Sequence, residues 1–357
     1  TDAFTGIAFE NGIYLLDGSD PLFEWVDDPT ARDPGVEPFE LKPQLERSDY
    51  VFNANDPYWV ANGDEFLDGA SPLHGLADTA LSTRTRMNVR QLAADTGGAG
   101  DDGLFTLTEL QATALSNRVF TAEALMDEFV VRCRAESPEQ ALCDVLAAWD
   151  RRVDIDSVGA ALWREFIDSF SFAELTDAGP LWANGFDPAD PVNTPNGLSD
   201  DPELIDRLVA AAENLRSAGF DIDTPLGEIQ IAHRGDIEVP IHGGNGAEGV
   251  TNIIGPGSND STSEPEIPSG APIEGSGTLT ADGYPVAAGT SFIYTVEFTA
   301  DGPVAAGFLT YGETGDPASP FYSDQTERFA AKDWRPFRFT EADITASPDL
   351  REYQLTE

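Results

Sequence analysis

The pattern of apolar and polar positions divides the chain into a strand-like beginning, a helical middle and a strand-like end. Residues 6–16 alternate loosely through Ile7, Phe9, Ile13, Tyr14 and Leu16, which predicts one or two strands closed by Asp17-Gly18-Ser19-Asp20. Trp25 and a Pro/Asp-rich loop lead to residues 49–59. There Val51 and Phe52 have the shape preference of a strand. Asn53, Asn55 and Asp56 stop it, because their side chains bond nearby backbone and favour turns. Tyr58, Trp59 and Val60 resume the apolar run. An amide placed there either caps the strand through a turn or aims a side-chain N–H at a ligand oxygen. Local sequence leaves both readings open. Residues 61–74 read as loop, with His74 an ordinary loop histidine.

Helical spacing begins near Ser82, through Arg84, Arg86, Met87, Val89, Arg90 and Leu92, and ends at the glycines of 97–103. Helices follow over residues 106–115 and 122–134. Ser137-Pro138 predicts an N-cap and first helical residue for the helix carrying Cys143, Leu146 and Trp149. Asp156-Ser157 predicts the start of another, with Leu162, Trp163, Phe166 and Phe170. Residues 179–199 look irregular. Leu204, Leu208, Ala212 and Leu215 mark a helix ended by Gly219. Beyond it lie short apolar runs (Ile229, Ile231, Ile237, Val239, Ile241), then a Ser/Gly/Pro/Glu-rich insert at 255–275. Residues 292–298 and 304–311 predict an antiparallel pair across a turn at 300–303. Short helices are expected at 324–331 and 340–344. The resulting division is 1–80, core strands; 81–220, largely helical; and 221–357, strand-rich with a mobile loop near 255–275.

Charge changes the picture. Asp and Glu number 64 against 20 basic residues, a net charge of −44, and every basic residue except Lys42 and Lys332 is arginine. Such a surface repels itself at low salt and is relieved when salt screens it, which predicts a salt-adapted host. Nucleic acid and anionic membrane are poor partners for this field, and no nucleic-acid partner is expected. No apolar run is long enough to span a membrane. Cys133 and Cys143 are ten residues apart; a disulfide there would suit an oxidising compartment, and two separate buried thiols are the alternative. No phosphate-binding glycine loop, HExxH, GxSxG or serine-hydrolase triad is visible.

Several stretches in order resemble one family. They are Leu16-Asp17-Gly18-Ser19 with Trp25, residues 49–59, Arg84-Thr85-Arg86-Met87, the run from Cys143 through Trp149-Asp150-Arg151-Arg152 to Ser157, and Thr310-Tyr311 with Asp316-Pro317 and Asp324-Gln325-Thr326. Together they resemble the penicillin acylase family of N-terminal-nucleophile (Ntn) hydrolases, nearest its acyl-homoserine lactone and aculeacin-type lipopeptide acylases. The resemblance implies an α+β chain, the C-terminal part of the β subunit of an αββα sandwich with an inserted helical subdomain. It implies an exported precursor that cuts itself into an α and a β chain, the β chain opening on a serine whose own α-amine is the general base. Hydrolysis of an amide in a small N-acylated substrate (an acyl-homoserine lactone, a lipopeptide or a β-lactam side chain) then runs through an acyl-enzyme.

The resemblance also assigns residues. Asn53 matches the asparagine that stabilises the oxyanion, with Asn55 as the alternative. Arg84 matches the supporting arginine, with Arg86 as the alternative. Tyr58 and Trp59 are candidate pocket walls, against core packing. A Cys133–Cys143 disulfide in an extracellular or periplasm-like compartment is implied. No cofactor is required, and calcium is a candidate structural ion without assigned ligands. The nucleophile is expected on partner protein, the α chain and the N-terminal part of β. Two competing expectations remain: a non-catalytic acylase-like scaffold, and Thr1 as an N-terminal nucleophile in its own right.

Overall fold

Helices occupy much of residues 83–218 in the computed structural model, which describes residues 19–24, 27–56, 58–71, 74–93, 97–255 and 270–355. The chain divides into two units, Thr1–Thr79 and Ala80–Glu357. Thr1, the strands expected at 6–16, Trp25 and most of the 255–275 insert lie outside the described residues.

In the second unit, helix α1 (Thr83–Leu92) starts at Ser82, whose hydroxyl accepts from the Thr85 N–H and so satisfies one of the helix's orphan donors. Helix α2 (Leu107–Ala114) starts at a capping box of Thr106 and Glu109. Helices α3 (Phe120–Glu136) and α4 (Gln140–Ala148) are stapled by the Cys133–Cys143 disulfide, their Cα atoms 5.6 Å apart. Helix α5 (Ala160–Ile167) is buried on every side, as expected of a helix at the centre of a core. Its Trp163 and Phe166 meet Phe129 of α3 at ring-centroid distances of 5.4 and 4.8 Å. Helix α6 (Phe172–Thr176) is a short capped turn that the apolar spacing did not announce. Helix α7 (Leu204–Ala218) packs on α5 and ends at Gly219, whose φ of +93° suits a residue without a Cβ.

Two helix starts differ from expectation. Ser137 does not cap α4; it closes α3, and its hydroxyl accepts from the Glu139 N–H at 3.2 Å within the connecting turn. Asp156-Ser157 does not start α5 either. The Ser157 hydroxyl is used in the loop, accepting from the Asp154 N–H at 3.2 Å and donating to Asp150 at 3.1 Å. The helix instead begins after Gly159 (φ +100°), where a Cβ would lie 3.1 Å from the Trp149 Cβ.

The strands gather into small sheets. β1 (Trp182–Asn184) and β2 (Asn196–Leu198) pair within the stretch that looked irregular. β3 (Gln230–Arg234) pairs antiparallel with β4 (Ile237–Pro240). Next come β5 (Ile254–Gly255), β6 (Tyr284–Pro285) and β7 (Ala288–Gly289); β6 runs parallel to β3, and β5 pairs with β7. β8 (Phe292–Thr299) and β9 (Gly302–Leu309) form the expected hairpin, in register from Phe292↔Leu309 to Thr299↔Gly302. Helix α8 (Asp324–Ala330) covers β9. β10 (Arg335–Pro336) pairs along β9, and helix α9 (Glu341–Thr345) is capped by Thr340. This is the α+β class that the sequence led us to expect.

The first unit is held by turns. Among its described residues the only β-bridge joins Val60 and Phe66. Val51 and Phe52 therefore do not form the expected strand. Phe52 donates one backbone bond, to Ala61 at 2.9 Å, and a strand needs a continuous row of them.

Candidate active site

Residues 50–63 form a loop folded back on itself. The Tyr50 carbonyl accepts from Asn62 Nδ2 at 2.9 Å, and its hydroxyl accepts from the Gly63 N–H at 3.0 Å. Arg47 pairs with Asp49 at 2.5 Å and Glu65 at 2.8 Å, and its hydrogen bond holds the Asp49 carboxyl below the usual carboxylate range. Asn53 is exposed at the loop's crest, beside buried Ala54. Its Oδ1 accepts from the Asn55 N–H at 3.0 Å. Asn55 itself sits at φ +66°, a left-handed conformation that asparagine tolerates better than most residues. The two asparagines thus have different roles here. Backbone at Asn55 pins the Asn53 amide, and the Asn53 Nδ2 has no acceptor among the described residues. The turn that the sequence offered is therefore made through Oδ1.

Trp59 is buried against Phe66 at a centroid distance of 5.6 Å, with no partner for its Nε1 among the described residues. Tyr58 is half-buried. It lies edge-on to His74 at 6.3 Å, and its hydroxyl accepts from the Ala70 N–H at 3.2 Å. His74 is anchored by Glu37, 2.6 Å from its Nε2.

The two candidate arginines belong to the second unit and differ sharply. Arg84 is half-buried in the first turn of α1. Arg86 is buried, with its guanidinium 4.5 Å from the Phe120 ring centroid and 5.7 Å from that of Trp182. Its Nε donates to the Val192 carbonyl at 2.9 Å, and its Nη1 has no partner among the described residues. Burial, helped by nearby Arg90, lowers its pKa to about 9, so it remains a cation at neutral pH.

The largest polar network was not anticipated. Arg164 of α5 donates to Glu248 at 2.9 Å, to the Gln230 amide oxygen at 2.6 Å and to the Gly243 carbonyl at 3.1 Å, and it lies over the Tyr284 ring. Burial alone lowers the Arg164 pKa, but Glu248, Tyr284 and Asp168 together outweigh it and the net shift is upward. Tyr284 donates to Glu165 at 2.8 Å, and Asn245 donates to Asp168 at 2.8 Å. Burial, with Glu248 nearby, pushes the Asp168 pKa up to about 7. The partners stand up to 119 residues apart, so no local motif could have flagged them. The one clue was Arg164-Glu165 inside an otherwise apolar helix. A second network joins Lys332 to Asp154, Asn117, Asn252 and His242. The His242 Nε2 lies 2.8 Å from the Phe329 carbonyl, and burial lowers its pKa to about 4.

Among the described residues, no three His, Cys, Asp or Glu side chains are arranged to hold a metal ion. No residue of this chain is therefore assigned to calcium. None of the described helices is long and apolar enough to cross a membrane.

Residues 5–346 match the penicillin amidase family. The chain belongs to that family. It is 33% identical over 352 residues to the acyl-homoserine lactone acylase PvdQ of Pseudomonas putida, covering 97% of this chain and 41% of that protein. It is 32% identical over 371 residues to the aculeacin-A acylase of Actinoplanes utahensis, covering 99% of this chain and 43% of that one. This penicillin amidase family member thus spans about two fifths of the length of the curated relatives it matches. A thermostable penicillin G acylase from Alcaligenes faecalis superposes with a TM-score of 0.45 at 15% identity, covering 90% of this chain and 60% of that chain.

Proposed function

We propose that this chain is one part of an amidohydrolase that cleaves the amide of small N-acylated molecules, with its nucleophile on protein outside these residues. The observation that carries the reading is the Asn53 side chain, whose oxygen is pinned and whose N–H₂ has no acceptor among the described residues; the resemblance read in the sequence matches it to the family's asparagine. The hydroxyl of an N-terminal serine adds to the amide carbonyl carbon while its α-amine takes the hydroxyl proton. The carbonyl oxygen becomes an anion and accepts from Asn53 Nδ2 and one backbone N–H. Collapse expels the amine with that proton and leaves an ester on serine. Water then hydrolyses the ester and releases the carboxylic acid.

The similarity to acylases named for acyl-homoserine lactone and aculeacin A supports an acylated lactone or lipopeptide as substrate. An apolar channel for the acyl group would discriminate chain length by about 0.8 kcal/mol per methylene. Arg84 is kept as the supporting arginine that the resemblance assigns, with Arg86, buried against Phe120 and Trp182, as the alternative. The disulfide supports export to an oxidising compartment.

Asn53→Ala in the assembled enzyme tests the reading. Turnover is expected to fall about 10²-fold, roughly 3 kcal/mol of transition-state stabilisation. The melting temperature should stay the same, because the side chain is exposed. Unchanged turnover in an intact assembly would rule out the oxyanion role of Asn53.

A further inference from the structure

The sheet of β8, β9 and β10 leaves an aromatic face open to solvent. Alternate residues of a strand share a face, and on β8 these are Phe292, Tyr294 and Phe298, all exposed, Phe298 to 85%. Phe292 stacks on Tyr294 with ring centroids 5.2 Å apart and on Phe337, just beyond β10, at 6.4 Å. Phe337 also lines an adjoining cavity of about 740 Å³, which is walled by Arg328, Arg335, Arg338 and Arg351. Asp349 is the one acidic residue among its described lining residues. The chain has 20 basic residues against 64 acidic ones, yet four arginines converge here. Arg328 is paired with Asp333 at 2.5 Å, and Arg335 reaches Glu313 only at 3.9 Å. Arg338 and Arg351 form no ion pair among the described residues.

A solvated surface does not need this arrangement. Contiguous exposed aromatics mark a contact surface, and the charge is opposite in sign to that of the whole chain. Two copies paired through this same face would set arginine against arginine, so the face favours a partner segment that brings carboxylates to it. The curated relatives are more than twice as long as the stretch they share with this chain, so the family has further polypeptide that could fill such a face. We propose that the face formed by Phe292, Tyr294, Phe298 and Phe337 and the four-arginine cavity docks an acidic, apolar-bearing polypeptide segment from the part of the acylase outside these 357 residues. The inference rests on the reading that the working enzyme is larger than this chain.

The test uses the full, processed protein. A photoreactive benzoylphenylalanine replaces Phe298, and cross-linked peptides are sequenced by mass spectrometry after the native mass is measured. The proposal expects links to peptides outside this chain, with acidic residues flanking the linked site. It also expects Arg338→Glu/Arg351→Glu to lower the yield of co-purified assembly about tenfold at low salt. Links confined to this chain or to a second copy of it would overturn the docking surface. So would a charge-reversed variant that assembles as well as the parent. A native particle containing this chain alone, yet turning over substrate, would overturn the underlying reading instead.

Discussion

The Asn53 amide is held on one side by backbone and has no acceptor on the other among the described residues, whereas the Arg86 Nη1 lacks one because it is buried. An oxyanion donor needs the first condition, a fixed dipole with an unspent N–H. Two buried titratable groups give a further prediction. Asp168 has its folded pKa raised from 3.8 to about 7. The folded state therefore holds the extra proton between those values, and stability falls as pH rises from about 4 to 7. His242 has its folded pKa lowered from 6.5 to about 4. The unfolded state binds the proton first, and stability is lost as pH falls through that window. The two slopes oppose each other in the parent protein. Asp168→Asn is expected to leave a melting temperature that climbs more steeply from pH 4 to 7 than the parent's, and His242→Gln one that climbs less. Thermal scans across that range check both, and parallel profiles for parent and variants would contradict the assignment.

Capped and periodic elements were legible in the sequence. The helix starts near Ser82 and residue 106, the α7 stripe ended by Gly219, and the β8–β9 pairing across its turn all follow from local spacing. Starts were missed where a serine had a competing partner, as Ser137 and Ser157 do. Asn53 was legible as a turn residue, but its free Nδ2 depends on the conformation at Asn55. The Arg164 network was illegible because its partners come from distant strands and loops. The α3–α4 staple closes a short loop across ten residues. Cross-linking a loop of that length stabilises by about 3 kcal/mol on the chain-entropy account. Cys133→Ala/Cys143→Ala should lower unfolding free energy by about that amount in denaturant titrations without altering the fold. An unchanged midpoint would show that the helical core alone holds the two helices together.

At the scale of the whole molecule, the charge of −44 dominates. Like charges spread over the surface are screened within about 10 Å at 0.1 M salt and about 3 Å at 1 M. The melting temperature should therefore rise between low and molar sodium chloride, and a flat or falling profile would contradict salt adaptation. The central claim is that this chain holds the oxyanion-binding half of a site whose nucleophile lies elsewhere. Rapid acid quench of the assembled enzyme turning over an N-acylated substrate, followed by mass mapping of the acyl adduct, tests it most directly. The account predicts the adduct on an N-terminal serine outside residues 1–357; an adduct on Thr1, or on any other residue of this chain, would contradict it.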